Sequence, residues 1–287
     1  MQLARRLSLS AYYYGTQPLR WWRARAAVRE RRAPVMVLFY HRIADTHPNP
    51  WTMRADDFAR QIDWLQQHFD LVSLAEAQAR IRTNNPRPAV AITFDDGYAD
   101  NCHFALPLLV KRRIPVMYFV TTRHILHGEP FPHDVARGEP LRPNTVDELR
   151  SLAAQGIEIG AHTRSHADLG SIKNPEILFD EVVKAGEELQ AAIDCPIRYF
   201  AFPYGQPANL NAEVFHIAYD AGFDGVCSAY GGYNFPGDDA FHLQRFHADP
   251  ELLRLKNWLT VDPRWVKQPR YTYEPTPARS RPQEATA

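Results

Sequence analysis

The chain has 287 residues, of which 45% are hydrophobic and 23% charged; this excludes a mostly disordered polypeptide and allows one large domain or two small ones. Lys plus Arg number 33 and Asp plus Glu also 33, so a formal charge of zero gives no general attraction for nucleic acid. The zero is an average, because residues 1–33 hold eight Arg against one Glu and the rest of the chain carries the compensating negative charge.

That basic arm, residues 1–33, also holds Tyr12, Tyr13, Tyr14, Trp21 and Trp22 among its arginines. It reads as a surface helix packed on the body of the protein. Peripheral attachment to an anionic membrane through Arg and Trp is the second reading. Nucleic-acid binding is set aside, since no recognised module accompanies the charge. The Leu7–Gly15 stretch is too short and too polar for the apolar core of a signal peptide, and no run of eighteen apolar residues occurs to span a membrane. Cys102, Cys195 and Cys227 are widely spaced and odd in number, which fits free thiols rather than a disulfide framework or a zinc knuckle. The expected compartment is the cytoplasm, at the inner face of the membrane if the arm attaches there.

Residues 34–266 alternate apolar runs with helical patterns. Val35–Tyr40 is continuously apolar, as a strand buried on both faces is, and Phe58, Ile62, Leu65 and Phe69 follow at helical spacing. Ser73 to Glu76 and Thr145 to Glu148 have the form of capping boxes. Further strands are expected at 89–94, 116–120, 157–160, 199–202 and 225–229, with helices starting at Asn174-Pro175 and Asn211 and closing at Gly156 and Gly222. Residues 267–287 contain four Pro and no Leu, Phe or Ile, and are expected to form a flexible tail. Repeated β–α units call for a parallel sheet, and polar residues recur where the strands end: His41, Asp95-Asp96, His162 and Tyr204. A ring of such positions favours a closed α/β barrel over an open sheet, which has a single switch point.

Three segments carry chemistry. In Thr93-Phe94-Asp95-Asp96-Gly97 two adjacent carboxylates follow a buried strand, an arrangement that like-charge repulsion makes costly unless a cation or a shared proton relieves it. In His162-Thr163-Arg164-Ser165-His166 two imidazoles four residues apart can converge on one ion; with a carboxylate they make a three-ligand site that leaves positions open for water. Phe202-Pro203-Tyr204-Gly205 reads as a fixed turn whose backbone amide can point into the site.

These motifs, in this order, resemble those of the polysaccharide deacetylases of carbohydrate esterase family 4, which share a homology domain with the nodulation-type chitooligosaccharide deacetylases. The resemblance spans roughly residues 34–247 and implies a distorted (β/α)₇ barrel. It implies a hydrolase that removes N-acetyl groups from an N-acetylhexosamine glycan of the cell envelope or an exopolysaccharide. It also implies Asp95 as general base and Asp96, His162 and His166 as ligands of a divalent metal, zinc first and cobalt or nickel as substitutes. The Tyr204 amide would stabilise the oxyanion.

The general acid is left between two histidines. His41, in Phe39-Tyr40-His41-Arg42, matches an early Tyr-His of a similar subgroup that acts on poly-N-acetylglucosamine, while His247 stands near the place of the family's late acid motif. Ala201 occupies the position at which well-known members carry an Arg, so no pairing of that Arg with the base is expected. His133 and Asp134 fall in a loop expected over the site, and Tyr230–Phe235 reads equally as a sugar-stacking segment or as a plain glycine-rich loop. An O-acetyl carbohydrate esterase and a catalytically silent glycan-binding protein are the rival functions. If the resemblance holds, the arm becomes a candidate tether to membrane or to polysaccharide-synthesis machinery.

Overall fold

The computed structural model describes residues 2–274, with side chains from Arg6 onward. A long helix, α1 (Gln2–Arg29), precedes the first strand, β1 (Val35–Tyr40). Then follow α2 (Ala55–His68), α3 (Leu74–Arg82), β2 (Ala89–Phe94), α4 (Ala105–Lys111), β3 (Val116–Val120) and α5 (Thr122–His127). Next come α6 (Val146–Ala154), β4 (Glu158–Ala161), a helical run α7 over 175–193, β5 (Tyr199–Ala201), α8 (Ala212–Asp220) and β6 (Gly225–Cys227). The chain ends with β7 (His242–Leu243), β8 (Arg245–His247) and α9 (Leu252–Leu259). Strand order is β7-β6-β5-β4-β3-β2-β1-β8, and every pairing along it is parallel.

The two ends of that order are one stretch of chain. β7 pairs with β6 through His242↔Val226 and Leu243↔Cys227; one residue later β8 pairs with β1 through Val37↔Arg245 and Phe39↔His247. A single stave bent at Gln244 therefore joins the edges, giving seven staves and a nearly closed, distorted (β/α)₇ barrel. Asn234 braces the bend: its side chain accepts from Gln244 N at 2.9 Å and donates to Gln244 O at 3.0 Å, and its backbone pairs with Val35. The Tyr230–Phe235 segment is thus part of the closure. Tyr230 and Tyr233 are 6% and 3% exposed and Tyr233 donates its hydroxyl to Trp258 O, so their rings are not open faces for sugar stacking.

Period-two alternation decides what fills the barrel and what crowns it. Val35, Val37, Ala89, Ala91, Met117, Phe119, Ala201 and Cys227 pack together inside, whereas Met36, Leu38, Val90, Ile92 and Tyr118 join the core under the helices. The interior is tight: a Cβ at Gly160 would lie 2.5 Å from the Phe119 ring. Continuing the inward register past the strand ends delivers His41 after Phe39, Asp95 after Thr93, His162 after Gly160, and His247 after Arg245. The strands that make the core inevitably carry these groups to one rim.

Local signals set the helices as expected. Thr145 and Glu148 form the reciprocal capping box of α6 and Gly156 takes φ +87° after it; at α3 only half of the expected box forms, Ser73 accepting from Glu76 N while the Glu76 carboxylate pairs with Arg80. α1 packs on α9, with Arg20 buried and donating to Asn257 O at 2.7 Å and to Asn257 Oδ1 at 2.8 Å. Order continues past the boundary expected at 267: Arg270 Nη2 donates to His242 O at 2.6 Å, and the Tyr273 ring stacks on Phe215 at 4.1 Å. The remainder of the expected tail, 275–287, lies outside the described residues.

Candidate active site

A cleft of about 450 Å³ opens at the C-terminal rim, and all seven site residues proposed from sequence line it: His41, Asp95, Asp96, His162, His166, Tyr204 and His247. His133 lines it too, from a short helix whose Asp134 is buried and accepts the Tyr98 hydroxyl at 2.8 Å.

Asp96, His162 and His166 form the tightest cluster. One ligand atom from each lies within 4.8 Å of the others, with Asp96 Oδ1 at 3.6 Å from His162 Nε2 and 3.3 Å from His166 Nε2. His162 Nδ1 sits 2.7 Å from the Ala201 carbonyl, which can only accept; Nδ1 therefore carries the proton and Nε2 turns its lone pair to the cluster. Asp96 Oδ1 is buried and has no hydrogen-bond partner among the described residues. A buried carboxylate oxygen facing two imidazoles is the donor set that zinc, cobalt or nickel takes, so these residues fit a divalent ion. Burial opposes ionisation of Asp96, but His166, His41 and His162 outweigh it and hold the carboxyl well below the usual range. Burial likewise lowers His162, to about 4, in favour of the neutral imidazole that a metal needs.

Backbone strain concentrates on the same motifs. Asp96, Thr163, His166 and Tyr204 have φ of +75°, +64°, +62° and +59°, a region costing a non-glycine residue about 1–2 kcal/mol. The His162–His166 loop is bolted down against α7. Arg164 N donates to Glu181 O at 2.9 Å, and the Glu181 carboxylate accepts from Ser165 N at 3.0 Å and Ser165 Oγ at 2.7 Å. Arg164 itself bridges Asp180 and Glu188. The wide π turn of α7, Asp180–Lys184, carries Asp180 and Glu181 and so faces the loop it anchors.

Asp95 has a partner after all, though not from the expected position. Arg245, on β8, donates Nη1 to Asp95 Oδ1 at 2.7 Å and Nη2 to Oδ2 at 2.9 Å. Its Nε is held by Ser228 O at 2.9 Å and its Nη1 also meets Thr93 Oγ1 at 3.0 Å. Burial opposes ionisation of Asp95; Arg245, with His162 and His41 behind it, outweighs this and lowers its pKa. Ala201 does leave the family's usual Arg position empty, and an inward residue of the closing stave supplies the guanidinium in its place. The signal was the inward register of β8, two residues before His247.

The two acid candidates adjoin one another, with ring centroids 6.0 Å apart. Trp51, which sequence reasoning passed over, covers both: its ring lies 4.8 Å from His41 and 5.8 Å from His247, and it is 45% exposed in the cleft wall. Its loop is tied by Arg42, which donates to Thr46 O, His47 O and Thr52 Oγ1. Burial lowers His41 against the opposing pull of Asp96 and Asp95, and lowers His247 to about 4.

A (β/α) barrel with a three-ligand cluster in a cleft at its C-terminal rim has the architecture of an enzyme active site. Residues 82–226, just over half of the chain, match the polysaccharide deacetylase family model, and the protein belongs to that family. YxkH of Bacillus subtilis (strain 168) is 24% identical over 227 residues, 78% of this chain and 74% of that protein. The chitooligosaccharide deacetylase of Bradyrhizobium sp. (strain ANU 289) is 29% identical over 121 residues; the match covers 41% of this chain and less than half, 46%, of that relative. Among solved structures, IcaB from Ammonifex degensii superposes with a TM-score of 0.67 at 23% identity, covering 80% of this chain and 98% of that one. The Streptococcus pyogenes deacetylase PplD in complex with acetate gives 0.66 at 19%, covering 79% and 99%. At these identities the structural likeness establishes the fold.

Proposed function

We propose that this protein is a metal-dependent carbohydrate deacetylase that hydrolyses the N-acetyl amide of an N-acetylhexosamine oligosaccharide or polysaccharide. One observation carries this reading: Asp95 beside an Asp96–His162–His166 cluster whose ligand atoms lie within 4.8 Å, all at the mouth of one cleft. Asp96 and the two imidazoles would hold the ion, zinc in first place. A divalent cation bound there supplies Lewis acidity to a water molecule and to the acetyl carbonyl.

The chain's own groups do the rest. Asp95 accepts the proton of the attacking water on a carboxylate oxygen whose orientation Arg245 fixes through both of its terminal nitrogens. The backbone amide at Tyr204, turned by Pro203 and Gly205 through φ +59°, donates to the developing oxyanion. Expulsion of the sugar amine needs a proton, and His41 delivers it; its ring lines the cleft beside Trp51. The exposed face of Trp51 suits the apolar face of a pyranose ring, which places the sugar against the acid.

The test is acetate release from a chitooligosaccharide and from an O-acetylated glycan, before and after dialysis against a chelator. Release from the N-acetylated substrate, lost on dialysis and restored by zinc, is the expected result. Activity indifferent to metal, or confined to the O-acetylated glycan, would overturn the proposal.

A further inference from the structure

An ordinary surface helix turns its apolar side inward and its polar side to water. α1 is inside out. Toward the barrel it presents Arg20, which is 3% exposed, the Thr16 hydroxyl that Arg20 Nε meets at 2.7 Å, and Tyr12, whose hydroxyl donates to Asp262 Oδ1 at 2.7 Å. Away from it, Leu7, Tyr14, Trp21 and Trp22 are 61%, 66%, 59% and 64% exposed. Ala11 and Pro18 fall between them at helical spacing and are exposed as well. Single apolar side chains on a surface are unremarkable, but four large ones along one helix face form a patch that marks an interaction site.

The charge on this helix is of one sign. No Asp or Glu occurs between Gln2 and Arg29. Arg25 and Arg29 extend the outward face beyond the tryptophans, and the Arg25 guanidinium lies 4.0 Å from the centre of the Trp21 ring. Indole rings beside guanidinium groups suit the boundary of a bilayer, where the rings sit at headgroup depth and the cations meet phosphates.

We propose that the outward face of α1 docks flat on an anionic lipid surface. The helix is 28 residues long, about 42 Å at 1.5 Å per residue, and no helix among the described residues is apolar enough to cross a membrane. It therefore lies on the bilayer and does not span it. A symmetric pairing of two copies through this face is disfavoured, because it would bring together two helices whose charged side chains are all arginine, with no acidic residue on either to compensate. The α1 face lies apart from the cleft, and its docking is independent of the chemistry there.

The full chain is sedimented with vesicles of phosphatidylcholine alone and of phosphatidylcholine containing about one-third phosphatidylglycerol. Wild type binds the anionic vesicles at least tenfold more tightly, its tryptophan emission shifts to the blue on binding, and the binding weakens as salt is raised. Each Arg near such a surface contributes about fivefold, so R25Q/R29Q binds more than tenfold more weakly. W21S/W22S loses the emission shift and most of the binding, while its melting temperature stays close to that of wild type because both rings are exposed. Equal binding to neutral and anionic vesicles, no binding to either, or wild-type binding by W21S/W22S would overturn the proposal. So would a concentration-dependent dimer in sedimentation velocity that W21S/W22S abolishes, which would make a second copy the occupant.

Discussion

Arg245 and Asp95 meet in a two-pronged ion pair, 2.7 Å from Nη1 to Oδ1 and 2.9 Å from Nη2 to Oδ2, with both side chains buried. Such a pair holds a carboxylate in one plane and keeps it ionised, and removing one partner strands the other. Arg245→Met therefore leaves Asp95 as a buried uncompensated charge, and urea unfolding at neutral pH should show a loss of about 3–5 kcal/mol. Replacing both, as Arg245→Met with Asp95→Leu, should recover most of that stability without any activity. Arg245→Lys keeps the charge but not the fork; kcat for acetate release should fall about ten- to hundredfold with KM within a few-fold. An unchanged kcat in the Lys variant would reduce the pair to a structural brace.

A second prediction separates base from ligand. His166→Ala removes one of the three groups around the cluster and should lower bound zinc, measured by elemental analysis after gel filtration, by at least tenfold. Asp95→Asn should retain the metal and lose about a hundred- to ten-thousandfold in turnover, the ordinary worth of a general base. If both variants lose metal equally, the division of labour between Asp95 and Asp96 is wrong.

The fold and much of the site are legible in the sequence, because buried parallel strands and strand-end polar residues leave strong local marks. Val35–Tyr40 and Ala89–Phe94 are apolar throughout and become adjacent staves, and the cluster residues sit immediately beyond strand ends. What stayed hidden depends on chain closure. Arg245 reads as one arginine among many until the bend at Gln244 returns its strand to β1 and aims it inward at Asp95. Trp51 was invisible for a similar reason, since its place over His41 is set by an irregular loop that Arg42 ties and no periodicity reports. Tyr230 and Tyr233 failed in the opposite direction: a glycine-rich aromatic run looks like a binding loop, yet here it plugs the seam of the barrel.

The third prediction concerns acid stability. His242 is buried on β7 with Nε2 at 2.9 Å from Ser228 Oγ, and burial, helped by Arg270, lowers its pKa to about 3. Its unfolded value is about 6.5, so below that pH the unfolded chain binds a proton that the folded one refuses. Stability is fully present above pH ~6.5 and is lost as pH falls, at about 1.4 kcal/mol per unit, until pH approaches 3. His242→Gln removes this contribution. Between pH 6.5 and 4.5, wild type should lose about 2 kcal/mol more than the variant in urea unfolding, and parallel losses would show that His242 already titrates normally in the folded protein.

The last prediction decides the proton donor. His41 and His247 sit 6.0 Å apart under the same indole, and burial lowers both pKa values, His247 to about 4. A donor must be protonated when the amine leaves. After burial, the next largest influences on His41 are Asp96 and Asp95, which favour its charged form against Arg245 and His166; on His247 the next largest is His41, which disfavours it, ahead of the support from Asp249 and Asp95. His41→Ala should therefore cost about a hundred- to ten-thousandfold in kcat on an N-acetyl substrate, and His247→Ala about tenfold or less. Leaving-group chemistry provides the control. An aryl acetate expels a good leaving group without protonation, so His41→Ala should lose far less activity on it than on the amide. A His41 variant equally impaired on both substrates, or a larger loss at His247 on the amide alone, would move the acid role away from His41.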